Sequence, residues 1–272
     1  MIKKNSKLIL FVLICTLLSA CGETPAEQPP PPEPEPEEIT PTVPPPTDMP
    51  EPTKTPLPTP TSTPMPAGLL FYDGFDGELE EGWIWQNEVP EKWSITEDGW
   101  LEIIAEDGAM LGMDSIQTNL LLQEMPDASR FEITAHLIAD TTSDFQQAAI
   151  FFIEDSDNFL VINRGHCSPC PTQGDGIYTD YQYDGVNGSF KAVMTDADEV
   201  YFRIEYDTDA GYLTAYYATE PEQWIQLRKI PIDLNYQMVG LGASNIDVQQ
   251  NKDDDLVAKY DYFAIWDLDQ KE

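Results

Sequence analysis

The chain has 272 residues, 49 of them Asp or Glu against 14 Lys or Arg, for a net charge of −35 at neutral pH. A polyanion of this size repels nucleic acid and anionic lipid headgroups, which excludes both as direct partners and leaves neutral ligands, cationic ligands and divalent metal ions. Residues 22–66 hold 18 of the 24 prolines and no aromatic residue, whereas residues 67–272 hold all six tryptophans with 41 acidic and 10 basic side chains.

The first predicted element is a leader. Lys3, Lys4 and Lys7 precede an apolar run over residues 8–18, and small residues follow it. That is the layout of an export signal, and the run is shorter than the about 20 residues a bilayer span needs. Leu18-Ser19-Ala20-Cys21 resembles the lipobox of bacterial lipoproteins. The resemblance implies cleavage before Cys21, fatty acylation such as palmitate on its thiol, and attachment to the membrane from outside the cytoplasm through lipid alone. An ordinary secretory signal that ends in cysteine is the alternative. The predicted organisation is therefore a signal peptide over 1–20, a stalk over 21–66 and one domain over 67–272. A stalk rich in Pro, Thr and Glu cannot bury enough apolar surface to offset chain entropy, so an unfolded or polyproline II state is expected. At roughly 3.1 Å per residue it reaches at most about 140 Å.

Within the domain the patterning has period 2, and nowhere a sustained period of 3.6. Strands are predicted over 100–105, 116–122, 131–139, 145–154, 158–164, 177–183, 189–194, 200–206, 212–218, 224–229, 236–243 and 259–267. Turn signals separate them, among them Glu97-Asp98-Gly99, Asp184-Gly185 and Asn187-Gly188. Pro221-Glu222-Gln223-Trp224 reads as a hairpin shoulder rather than a helix. This many short strands without helices predict an antiparallel sandwich. The 145–154 strand is apolar on both faces, which places it mid-sheet. Val200, Phe202, Ile204 and Tyr206 alternate with Tyr201, Arg203 and Glu205, so that strand has a dry face and a wet one.

The remaining cysteines lie in Arg164-Gly165-His166-Cys167-Ser168-Pro169-Cys170-Pro171. Outside the cytoplasm a Cys167–Cys170 disulfide is the default, with a metal site using His166 or a pair of free thiols as the alternatives. No βαβ pattern surrounds the CxxC, which argues against a thioredoxin-like role.

The segments Phe71-Tyr72-Asp73-Gly74-Phe75-Asp76-Gly77, Gly82-Trp83-Ile84-Trp85, Gly99-Trp100-Leu101-Glu102, Asp144-Phe145-Gln146-Gln147, Val200-Tyr201-Phe202-Arg203-Ile204 and Tyr260-Asp261-Tyr262-Phe263 resemble concanavalin A-like sandwich domains. The modules at the C-termini of bacterial β-xylosidases are similar. The resemblance implies a jelly roll of two curved sheets with any ligand groove on the concave face. Asp73, Asp76 and Asp261 match acidic positions where related sandwiches hold a structural calcium. The Cys167–Cys170 insertion departs from the pattern and is positioned to reshape one end of the groove.

Sandwich glycanases carry paired carboxylates on one strand, as in Glu-x-Asp-x-Glu, so that two acids face one site. No such strand occurs here; Glu154-Asp155-Ser156-Asp157 ends a strand and enters a turn. Gly-x-Ser-x-Gly is also missing from the sequence, and two histidines leave little for triads. Sugar recognition needs aromatic faces for pyranose C–H patches and planar polar groups for hydroxyls. Trp85, Gln147, Arg164, Tyr178, Gln182, Tyr201 and Arg203 are the candidate ligand-binding residues. The functional reading is a non-catalytic carbohydrate-binding module on a surface lipoprotein, with a glycan or polysaccharide as partner. The alternatives are a scaffold that engages an envelope protein and a glycoside hydrolase with an unrecognised carboxylate pair.

Overall fold

Strand alternation decides the architecture. Along residues 199–207 the buried positions Val200, Phe202, Ile204 and Tyr206 alternate with outward Tyr201, Arg203 and Glu205, as a half-buried strand requires. The computed structural model describes residues 65–105, 108, 117–190, 192–245 and 255–271. The leader, Cys21 and the stalk up to residue 64 lie outside them.

Among the described residues sixteen strands follow in chain order: β1 (Leu69–Asp73), β2 (Ile84–Gln86), β3 (Trp93–Ile95), β4 (Leu101–Ala105), β5 (Leu120–Glu124), β6 (Arg130–Ile138), β7 (Gln146–Asp155), β8 (Asn158–Cys167), β9 (Gly174–Tyr183), β10 (Val186–Ser189), β11 (Val193–Met194), β12 (Glu199–Asp207), β13 (Tyr212–Ala218), β14 (Ile225–Pro231), β15 (Met238–Asn245) and β16 (Leu256–Asp267). A single 3-10 turn, Pro90–Lys92, is the one helical element among the described residues. Sheet one runs β14-β13-β12-β6-β16-β4-β3, with β1 also on β16. Sheet two runs β10-β9-β8-β7-β15-β5-β2, with β11 on β9. The result is the predicted antiparallel sandwich.

The facing surfaces form one core. Sheet one contributes Leu101, Ile103, Phe131, Ile133, Val200, Phe202 and Phe263; sheet two contributes Leu121, Ile150, Phe152, Leu160, Ile162 and Leu241. A hydrogen-bonded bridge crosses between them. The fully buried Tyr260 hydroxyl, on β16, donates to the Gly242 carbonyl at 2.7 Å and accepts from the Ala149 amide at 3.0 Å. Burial pushes its ionisation far above the usual range. β7 lies between β8 and β15, as its two apolar faces predict.

The structure departs from the predicted elements in two informative places. The short edge strands β1, β2 and β3 carry too few residues to show a period. The predicted 189–194 strand overlaps β10 only at Ser189 and β11 at Val193–Met194, and β10 starts back at Val186 because the hairpin turns at Asp184-Gly185. Both residues have positive φ, 50° and 73°, as a two-residue hairpin turn demands. Asn187-Gly188 is not a turn but lies inside β10. A Cβ at Gly188 would sit 2.2 Å from the Tyr181 ring, so glycine is there for close approach.

Tyr260→Phe removes the inter-sheet bridge without changing shape. Its expected cost is about 1–3 kcal/mol, since the Ala149 amide loses its hydroxyl partner in a dry core. Urea unfolding checks this: a lower midpoint at unchanged slope is expected.

Candidate functional site: a recess beside the disulfide

The outer face of sheet two has two halves. Leu120, Leu122, Ala149, Phe151, Ile153, Phe159 and Val161 form a buried apolar patch on one. On the other, over β7 to β10, a recess of about 490 Å³ opens. Small-ligand sites span roughly 300–1,000 Å³.

Alternation builds its floor. Gln147 on β7, Asn163 on β8, and Tyr178 and Asp180 on β9 all face outward between neighbours that enter the core. Asn163 Nδ2 donates to Asp180 Oδ2 at 2.9 Å, and Ser189 Oγ, from β10, donates to Asp180 Oδ1 at 2.6 Å. Despite both bonds, burial pushes the Asp180 carboxyl above its ordinary range. Gln147 Nε2 donates to Ser244 Oγ at 3.2 Å. Tyr178 donates its hydroxyl to the Gly174 carbonyl at 2.6 Å, so its ring is fixed as wall. Gly165 keeps the floor open: a Cβ there would lie 2.7 Å from Asn163 Oδ1.

The wall is the Cys167–Cys170 disulfide, with Cα atoms 5.5 Å apart, packed with Tyr178, Ala192 and Phe145. Phe145 has φ of +66°, a left-handed conformation uncommon for an aromatic residue. Such strain costs of order 1–3 kcal/mol and persists where surroundings over-determine it. Here they do. The Phe145 amide donates to the His166 carbonyl at 2.8 Å, and Gln146 Oε1 accepts from the amides of Thr142 and Ser143 at 2.8 and 3.1 Å. Asp144 accepts from the Ser168 amide and hydroxyl at 2.5 and 2.7 Å. Burial pushes the Asp144 carboxyl up, but these bonds outweigh it and hold it below its usual range.

Arg164 pins the wall from behind. It is 1% exposed and lies on the core side of β8. Its Nε donates to the Ala197 carbonyl at 2.7 Å, one terminal nitrogen to Thr141 Oγ1 at 2.8 Å, the Gly165 carbonyl at 2.9 Å and Asp175 at 3.2 Å, and the other to Asp198 at 3.0 Å. His166 Nδ1 lies 3.1 Å from the same Asp175 oxygen. Burial acts to raise Asp175, while Thr141, His166 and Arg164 hold it below the usual range.

The structure therefore separates the predicted ligand-binding residues. Gln147 and Tyr178 line the recess. Gln182 shares that outer face but fastens the β7–β8 turn, donating to the Ser156 carbonyl at 3.1 Å. Arg164 is a buried clamp. Trp85 sits on β2, three strands beyond β7 or roughly 14 Å along the sheet, packed at a tilt against Trp93 with centroids 4.7 Å apart. Tyr201 and Arg203 face outward on sheet one, on the opposite side of the sandwich. Tyr201 stacks on His136 at 4.0 Å, and the Arg203 guanidinium lies 4.3 Å from the Tyr216 ring centroid. Asp180, Ser189 and Phe145 are among the recess residues absent from the predicted set. Asp180 carried a usable signal, lying between Tyr178 and Gln182 at the same strand parity.

The structure does not gather Asp73, Asp76 and Asp261 into a set of metal ligands. Asp73 is buried with both oxygens occupied by three donors: the Phe75 amide at 2.7 Å, the Glu80 amide at 2.9 Å and Trp83 Nε1 at 2.7 Å. Asp261 is paired with His136 Nδ1 at 2.9 Å. Among the described residues no group of three metal-ligating side chains converges.

Two antiparallel sheets around one core, with a recess on an outer face, define a concanavalin A-like sandwich. The chain belongs to the family of β-xylosidase C-terminal concanavalin A-like domains, whose profile matches residues 72–265. No curated protein sequence matches it. Among solved structures, the GH43 protein BlXynB of Bacillus licheniformis is similar at TM-score 0.60 and 16% identity, over 72% of this chain and 39% of that one. A xylan β-1,4-xylosidase of Bacillus halodurans C-125 aligns at TM-score 0.57 and 15% identity, covering 77% and 41%. GH43B of a Bacteroides ovatus xyloglucan locus aligns at 0.58 and 15%, covering 78% and 41%. These likenesses are of fold, and the chain spans about two fifths of the length of each of these proteins.

Arg164→Ala is expected to cost about 3 kcal/mol, the low end for breaking a buried ion pair because Asp175 and Asp198 keep contact with water. Denaturant unfolding reads the loss, and hydrogen exchange should show amides 141–145 opening first.

Proposed function

We propose that this is a non-catalytic glycan-binding module, carried outside the cytoplasm on a lipid-anchored proline-rich stalk, and that the recess beside the disulfide is its sugar site. The carrying observation is the convergence there of outward polar groups from separate strands with the strained Phe145. Asn163, Asp180, Ser189 and Gln147 offer donors and acceptors suited to sugar hydroxyls, while Phe145, Tyr178 and the disulfide offer apolar surface for ring C–H groups. Asp180 is the one carboxylate among the described lining residues, and two-carboxylate glycoside hydrolysis needs a second. Binding is thus favoured over cleavage. The Bacillus halodurans neighbour is a xylan β-1,4-xylosidase, which makes xylo-oligosaccharides natural first ligands.

A glycan array with the full chain, followed by titration calorimetry on each hit, tests the site. Phe145→Ala and Asp180→Ala should each weaken the best ligand about tenfold or more, roughly 1.4 kcal/mol, with the melting transition retained. Tyr201→Ala and Arg203→Ala, on the far sheet, should leave affinity within about twofold. The reverse pattern would move the site to sheet one. For the anchor, Cys21→Ser should shift the expressed protein from the membrane fraction to the soluble one. Retention in the membrane fraction would refute lipidation at Cys21.

A further inference from the structure

The polar end of the recess is unbalanced in charge. Asp180 accepts one hydrogen bond on each oxygen, both from neutral donors, Ser189 and Asn163. A carboxylate has about four acceptor positions, so roughly two remain for a ligand. No Lys or Arg is among the described residues that line the recess. Arg164, next to Asn163 in sequence, points to the other face and is committed to Asp175 and Asp198. Some enclosed carboxylates, such as Asp73, have their oxygens filled by several neutral donors, and others have a cation. Glu132 has Lys271 at 2.6 Å, and Asp175 has Arg164.

Resting on the glycan reading of this recess, we infer that it selects sugars bearing a free primary amine, whose ammonium group pairs with the Asp180 carboxylate. A half-buried carboxylate without a counter-charge is costly to keep ionised, and a ligand cation removes that cost where a neutral hydroxyl does so only in part. Burial raises the Asp180 carboxyl, in keeping with this. The aromatic rings of Phe145 and Tyr178 in the wall also favour a cation over an anion. The domain's 41 acidic against 10 basic residues enrich cations around it and repel uronic acids and phosphorylated glycans.

Three β-1,4 disaccharides that differ at carbon 2 isolate the amine: cellobiose, N,N′-diacetylchitobiose and the free-amine chitobiose. Calorimetry with the full chain in detergent, at about pH 6 so that the amine is protonated, compares them. The free-amine sugar is expected to bind about tenfold or more tightly than the other two, with an advantage that shrinks as salt is added. Asp180→Asn, which keeps the side chain's shape, should abolish the preference. Equal or weaker binding of the amine, or a preference that survives Asp180→Asn, overturns the inference. Equal binding of all three leaves the glycan reading standing and removes only the amine selectivity. Binding of none removes the amine selectivity, and the glycan array decides the wider glycan reading separately. If Asp180→Asn fails to fold, the three-ligand comparison and its salt dependence on the wild type decide the matter alone.

Discussion

The recess exists because a guanidinium group is held in a dry place. Arg164 distributes its donors over the 141–145 loop, the 197–198 segment, β9 and its own strand, and the loop, β9 and β8 supply Phe145, Tyr178 and Cys167 to the cluster around the disulfide. A buried cation must be paired and hydrogen-bonded, so the segments that pair with it lose the freedom to sit elsewhere. Phe145 takes its left-handed conformation under that constraint, with Gln146 and the His166 carbonyl completing the fixation. The disulfide then adds a short covalent wall to an already positioned loop.

The two outer faces spend their aromatic residues differently. On sheet one, Tyr72 and Tyr262, and His136 and Tyr201, form cross-strand ring stacks. His136 is held between Asp261 and Glu199, with each ring nitrogen 2.9 Å from a carboxylate oxygen. Rings stacked on one another turn edges rather than faces to a ligand, and their polar partners are already supplied from within the sheet. Sheet two has fewer aromatic residues on its open half, but it leaves polar groups and apolar surface exposed to a common space. The count of tyrosines and tryptophans is therefore a poor guide to where a sugar would sit.

The fold was largely legible. Period-2 alternation is a property of consecutive residues, so strands such as β12, β13 and the doubly apolar β7 could be read directly. Short edge strands could not, because three to five residues carry too little period. The hairpin at Asp184-Gly185 and the neighbouring Asn187-Gly188 look alike in one dimension. They were separated only by the packing of Tyr181 against Gly188. Of the candidate site residues picked by parity and composition, Gln147 and Tyr178 line the recess. Arg164, Tyr201 and Arg203 satisfied the same chemical criteria but lie in the core or on the opposite sheet. The acidic trio of Asp73, Asp76 and Asp261 satisfied a positional pattern, but amide, indole and imidazole nitrogens already occupy Asp73 and Asp261.

By itself the sequence determined the class of domain, because alternation, turn chemistry and the absence of helical period are local and additive along the chain. It also determined the charge, and with it the kinds of partner that electrostatics disfavours. Which outer face opens, and which of many polar side chains share it, were decided only by tertiary structure. Those properties depend on strands far apart in sequence becoming neighbours, and on whether a charged side chain points to solvent or to a buried partner. Asp180 and Arg164 show the difference: sixteen residues apart, one faces the recess and the other the core, and strand pairing assigns each its side.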